Sequence, residues 1–269
     1  MNTIIPSQQL VLQIEKSESE YMKDRMEAIR DREGNPEGIK IEQIGNALCL
    51  YSKTMPWPSF NVVKGITKED LKHLDEIIEF YRRRGRKAQF EIVPSRVDQS
   101  LLAELSDRGF YQSGFHTSTY CIPDELTIGK PETVRIKEID GEDFITYATI
   151  HCRGTGLQDN GIPYVAKNNK VLWNRPGWKL YIAYVSDQPA AVGVMFVKDA
   201  IASLTFAATL PEFRGQGLHQ LLLKRRMNES FRQNCTLVVG QCSYLSQSHR
   251  NMERVGMKVG YTRATWTEK

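Results

Sequence analysis

Nowhere does the chain run for about 18 consecutive apolar residues, so no membrane-spanning helix is expected. The opening stretch Met1-Asn2-Thr3-Ile4-Ile5-Pro6 lacks both a basic start and a long apolar segment, and no signal peptide is expected there. Five cysteines (Cys49, Cys121, Cys152, Cys235 and Cys242) form an odd set with no C-x-x-C pair. That argues against a disulfide framework or a zinc site, so no metal is expected, and it points to a reducing, cytoplasmic setting. The formal net charge of +4 is small for 269 residues. It suits solubility or mild attraction of an anionic ligand and gives no reason to expect a nucleic-acid partner. Two phosphate motifs are also missing. Without Gly-x-x-x-x-Gly-Lys-Ser/Thr the chain is not expected to be a P-loop NTPase, and no Gly-x-Gly-x-x-Gly opens a βαβ unit.

What is present suits two domains, residues 1–122 and 133–269, joined by a polar, Pro-marked linker at 123–132. In the first half, 17–30 has helical spacing of Tyr21, Met22, Met26 and Ile29, and 39–52 alternates enough for strands. Thr67-Lys68-Glu69-Asp70 resembles a capping box ahead of a helix with Leu71, Leu74, Ile77, Ile78 and Tyr81. Strand 88–93, a helix capped by Asp98 and a strand at 115–122 complete it. The run Arg82-Arg83-Arg84-Gly85-Arg86 falls at a helix C-terminus, where outward carbonyls have the wrong polarity for phosphate, and is expected to be a solvated helix end.

The second half predicts a strand at 133–139, helical or turn-rich segments at 141–152 and 162–173, and a hairpin of 178–185 with 191–198. A buried strand at 201–209 then stops at Pro211 and passes through Arg214-Gly215-Gln216-Gly217 into a helix at 215–232. Leu218, Leu221, Leu222 and Phe231 share one face of that helix. A strand–glycine loop–helix unit leaves backbone N–H groups unpaired at the helix start, pointing one way, with the helix dipole behind them. Such a place is built to hold a phosphate or pyrophosphate. A strand at 236–241, a helix at 246–255 and a strand at 257–266 follow.

Arg214-x-x-Gly217-x-His219 resembles the Arg/Gln-x-x-Gly-x-Gly/Ala loop of the GNAT (GCN5-related) N-acetyltransferases. The β-α-α-β-β-β-α-β-α-β order of the second half is similar to theirs, and Ser246 to Met257 resembles the family's Ser-x-x-x-x-Asn-x-x-Arg-x-Gly-Phe ending. Leu105 to Phe110 parallels the same ending in the first half. The resemblance implies an α+β fold of tandem GNAT-like domains, each a mixed, mostly antiparallel sheet flanked by helices, with a degenerate N-terminal domain and a catalytic C-terminal one. It implies acetyl-CoA as co-substrate, its pantetheine along Ala207, Ala208 and Thr209 and its pyrophosphate on Arg214, Gly215, Gln216, Gly217, Leu218, His219 and Gln220, with Ser246 and Asn251 orienting it. The implied reaction is direct attack by a primary amine, a small molecule or a peptide N-terminus, in a monomer or homodimer.

Two departures bear on the chemistry. His219 stands where the family has Gly or Ala, and its ring either crowds the loop, touches a coenzyme phosphate, or lies idle on the helix surface. Met252 stands where many members carry the tyrosine that protonates the leaving thiolate, and methionine cannot donate a proton. Tyr244 is the replacement candidate for the acid and His151 for the base. Two other functions fit the same residues: a non-catalytic acyl-CoA binding module, and a GNAT-shaped interaction domain that needs no coenzyme.

Overall fold

The computed structural model describes residues 5–129 and 133–269. Residues 1–4 of the opening stretch and 130–132 of the expected linker lie outside them. The chain runs α1 (Gln8–Arg30), β1 (Lys40–Ile44), β2 (Ala47–Tyr51), β3 (Val62–Lys64), α2 (Leu74–Arg82), β4 (Gln89–Ile92), α3 (Gln99–Asp107) and β5 (Phe110–Cys121). It continues with β6 (Val134–Glu138), α4 (Phe144–Thr155), α5 (Ile162–Lys170), β7 (Trp178–Val185), β8 (Gln188–Lys198), β9 (Ile201–Thr209), α6 (Leu218–Arg232), β10 (Leu237–Cys242), α7 (Gln247–Arg254) and β11 (Lys258–Glu268). The architecture is α+β, mostly antiparallel, with helices against the sheet. No helix among the described residues is long and apolar enough to cross a membrane.

Two compact units form. One comprises 5–118 with 242–244 and 259–269; the other comprises 119–241 with 245–258. The expected division left the C-terminal strand with the second half. In the structure β11 instead pairs antiparallel with β4, Ala264 opposite Ile92 and Thr267 opposite Gln89. Its Ala264 and Trp266 pack on the core of Val63, Leu74, Ile77, Phe90, Leu101, Leu105 and Phe110. Those apolar contacts carry the strand into the first unit.

Within that unit α1 begins at Gln8 rather than at residue 17, because the Ser7 side chain accepts from Leu10 N (3.2 Å) and Leu10, Val11 and Ile14 extend the buried stripe. The Thr67–Asp70 capping box forms as expected. At the arginine run, Arg84 lies 4.0 Å over the Phe80 ring and Arg86 Nε donates to Ser52 O (3.0 Å), consistent with a helix end. Part of the interior is charged. Arg263 Nη1 donates to the Glu18 carboxylate (3.0 Å), Arg263 Nε lies 3.1 Å from Glu91 Oε2, and Lys64 pairs with the same Glu91 oxygen.

In the other unit the sheet order is β10-β9-β8-β7-β6, with α4 and α6 both packed on β8 and β9. The β7–β8 turn places Ser186 and Asp187 in the left-handed region. The buried face of α6 is Leu218, Leu222, Leu223, Arg226 and Met227. Phe231, expected on that face, is 44% exposed, since the helix has rotated it away by its last turn. The described part of the linker is docked rather than free. Leu126 exchanges two 2.8 Å hydrogen bonds with the Asn228 amide, and Lys224 Nζ donates to Thr127 O (3.1 Å).

Candidate functional site

Beyond Leu204, β9 is held on one side only. Against β10 it pairs in parallel from Ile201 opposite Leu237 to Leu204 opposite Gly240, and there the pairing ends, although β9 continues to Thr209. Its other side stays paired with β8 out to Thr209 opposite Ala191. Leu210 N–H bonds Ala190 O (2.9 Å), so by antiparallel alternation the backbone groups of Ala207 and Thr209 point away from β8, to the open side. The result is a short length of strand with an unpaired edge, the geometry that accepts an extended ligand as an added strand.

A bulge accompanies this opening. Val194 faces Phe206 but Phe196 faces Ser203, so β9 carries one extra residue there. Arg226 of α6 braces it. This guanidinium is 1% exposed and donates through Nε to Leu222 O (3.0 Å) and through Nη1 to Val194 O (2.9 Å) and Phe206 O (3.2 Å). Burial lowers its pKa to about 10.

Beyond β9, a 3₁₀ turn (Pro211–Phe213) leads into the glycine loop. Gly217 is the N-terminal cap of α6 at φ 76°, and Gly215 has φ 80°. Nothing in the protein stands within 4 Å of a Cβ built at either, so it is the left-handed backbone that calls for glycine here. Arg214 N bonds Pro211 O, and Leu221 N is the next backbone amide to find a carbonyl, on Gly217. Among the described residues the amides of Gly215, Gln216, Gly217, Leu218, His219 and Gln220 take no backbone acceptor. Strand edge and helix start line one cavity of about 610 Å³, walled also by Gly154, Phe213, Arg214, Gln247, Ser248, Asn251 and Arg254. Arg214 Nη2 donates to Gly154 O (2.9 Å), tying the loop to α4.

Asn251 joins the two helices at this cavity. Its Oδ1 accepts from Gln220 Nε2 (3.1 Å), Gln247 Nε2 (3.0 Å) and Arg254 Nη1 (3.0 Å), and its Nδ2 lies 3.0 Å from His219 Nδ1. Burial, and secondarily the charge of Arg226, lowers the His219 pKa to about 4, so the ring is neutral near pH 7.

Of the residues expected at the coenzyme loop and strand, Ala207, Ala208, Thr209, Arg214, Gly215, Gly217, Leu218, His219, Gln220 and Asn251 come together here. Gln216 sits in the loop outside the lining. Ser246 is the N-cap of α7, accepting from His249 N (3.1 Å). The two candidates for proton transfer are elsewhere. His151 stacks on Phe206 (4.0 Å, 16°) with Nδ1 3.5 Å from the Tyr147 hydroxyl. Tyr244 is 61% exposed, in the 242–244 stretch that groups with the other unit. Neither lines the cavity. Met252 is buried, its Sδ 3.4 Å from Thr119 Oγ1, and it packs beneath Gly240. The sequence carried a signal for Arg254, in Asn251-x-x-Arg254. For Arg226 it carried none, because Lys224-Arg225-Arg226 looks like a solvated helix face.

No family model and no curated protein sequence matches this chain. Solved structures do. A GCN5-related N-acetyltransferase from Kribbella flavida, 14% identical, superposes with a TM-score of 0.66 over 93% of this chain and 95% of that one. A functionally unknown conserved protein from Staphylococcus epidermidis ATCC 12228 (15% identical, TM-score 0.61) covers 85% and 93%. A tandem GNAT protein from the clavulanic acid biosynthesis pathway (16%, TM-score 0.55) covers 71% and 67%. At these identities the likeness is one of fold: the chain has the GCN5-related N-acetyltransferase fold, as the loop and its flanking strand and helix led us to expect.

Proposed function

We propose that the 133–258 part of the chain binds acetyl-coenzyme A in the cavity between β9, α6 and α7 and transfers the acetyl group to a primary amine. The observation that carries this is the continuity of two complementary binding elements. An unpaired strand edge at Ala207 and Thr209 can bond an extended amide-bearing arm. It runs directly into six unused amides at a helix start, flanked by Arg214 and Arg254, which suit a pyrophosphate.

The thioester supplies an activated acyl group; the amine nitrogen bonds to its carbonyl carbon, the carbon–sulfur bond breaks, the thiolate gains a proton and the amine loses one. What the chain contributes is positioning and electrostatics. The Ala207 and Thr209 amides orient the arm and face its carbonyl. Arg226 holds the bulge that keeps this edge clear of β10. With Tyr244 and His151 outside the lining and His219 at the helix start that suits the pyrophosphate, proton exchange falls to solvent, which a thiol with pKa near 8.5 tolerates. Buried Met252 also favours a second reading, an acyl-coenzyme A binding module without turnover, which differs in giving no acetylated product with any amine.

Calorimetric titration of acetyl-coenzyme A into the wild type and Gly217→Glu tests this, with circular dichroism to verify folding. Micromolar affinity, about −8 kcal/mol, is expected for the wild type and none for the variant. Absence of wild-type binding overturns both readings. With binding in hand, a screen of amines for acetylated product separates enzyme from module.

A further inference from the structure

We infer that His219 is a phosphate-binding residue of this site: held as the Nε2–H tautomer by Asn251, its neutral imidazole donates through Nε2 to the coenzyme's pyrophosphate. This rests on the coenzyme reading above and adds to it a side chain that the loop pattern does not supply.

The tautomer follows from the network. Three donors, from Gln220, Gln247 and Arg254, converge on one atom of the Asn251 amide, so that atom is the oxygen. The other is then the NH₂ group, and it faces His219 Nδ1 at 3.0 Å. Nδ1 must accept, which puts the ring hydrogen on Nε2. Among the described residues no acceptor takes that hydrogen. The residue lines the cavity, and its own backbone amide is one of the six unused donors at the start of α6. Side chain and main chain of one residue are thus offered to one anion.

The surroundings suit a neutral ring beside an anion. In the free protein burial and Arg226 keep it neutral. Arg214 on the loop and Arg254 on α7 add further positive charge to the lining, while the nearby carboxylates, Glu212 on the 3₁₀ turn and Glu253 on α7, stay outside it. Protonation would place a second N–H at Nδ1, against the Asn251 NH₂ that donates there, so the ring meets the pyrophosphate as a neutral Nε2–H donor. The imidazole should therefore add affinity without adding proton uptake.

Titration of acetyl-coenzyme A into the wild type, His219→Ala and His219→Gln, from pH 5.5 to 8 in two buffers of different ionisation enthalpy, tests this. We expect affinity to fall roughly tenfold in His219→Ala, the worth of one charge-assisted hydrogen bond. His219→Gln keeps a donor and should recover part of the loss. The coenzyme's own phosphate titrates near 6, so proton uptake should be the same in all three proteins. Equal affinities in all three overturn the inference while leaving coenzyme binding intact. Loss of binding in the wild type removes both. Should either variant fold poorly, the other decides: an affinity equal to the wild type's overturns the inference.

Discussion

A Cβ added at Gly193 would stand 3.1 Å from Nε of Arg226. The bare position in β8 leaves room for a guanidinium that lies under the strand and holds the carbonyls of Val194 and Phe206. Arg226→Met keeps most of the volume but leaves those carbonyls short of a partner, and should cost about 1–3 kcal/mol in urea unfolding. Gly193→Ala should cost about 1 kcal/mol by displacing the same group. Because both changes act on one contact, the double variant should lose less than the sum. Acetyl-coenzyme A affinity should fall in Arg226→Met, since the open edge of β9 depends on the bulge.

Glu91 is the hinge of the buried charges in the first unit. Burial raises its carboxyl pKa, and Lys64 and Arg263 more than offset that, holding it at about 2. Glu91→Gln leaves two buried cations facing a neutral amide and should destabilise the protein by about 3–5 kcal/mol. For pH, the sign follows from a folded pKa below the unfolded one. Glu91's contribution is complete above about 4.5 and lost as pH falls toward 2, because the unfolded chain binds its proton first. Denaturation midpoints between pH 7 and 3 should fall less steeply in Glu91→Gln than in the wild type.

Gly217 separates conformation from crowding. With φ 76° and nothing within 4 Å of a built Cβ, an alanine there meets strain and no obstacle. Gly217→Ala should cost about 1–2 kcal/mol and weaken coenzyme binding. Gly217→Asn, better suited to the left-handed region, should lose less of both. A larger loss for Asn in thermal melts would mean that side-chain size decides instead.

Restoring a tyrosine at the family's acid position should not restore an acid. Met252 is buried against Thr119 and Gly240, so Met252→Tyr overfills the interior at about 1–3 kcal/mol. The expected outcome is a lower melting temperature with no gain in acetyl transfer. A rate gain with unchanged stability would show the ring reaching the cavity.

The strand, left-handed loop and helix of 201–232 were legible because their signals are local: an apolar run, a proline stop, glycines and helical spacing act over a few residues. The Asp98 cap belongs to the same class, as do the caps at Ser7 and Ser246. Other features depended on partners distant in the chain. The parting of β9 from β10 after Leu204, the bond from Gln220 to Asn251, the bond from Arg226 to Val194 and the pairing of β11 with β4 join residues roughly 30 to 180 apart. No composition or periodicity distinguishes Arg226 from the solvated arginines beside it. The sequence by itself determined that an anion-binding helix start follows a buried strand. Only the tertiary structure decided which donors stay unused there and which charges are taken out of water, because both depend on what packs against each group after the chain has closed on itself.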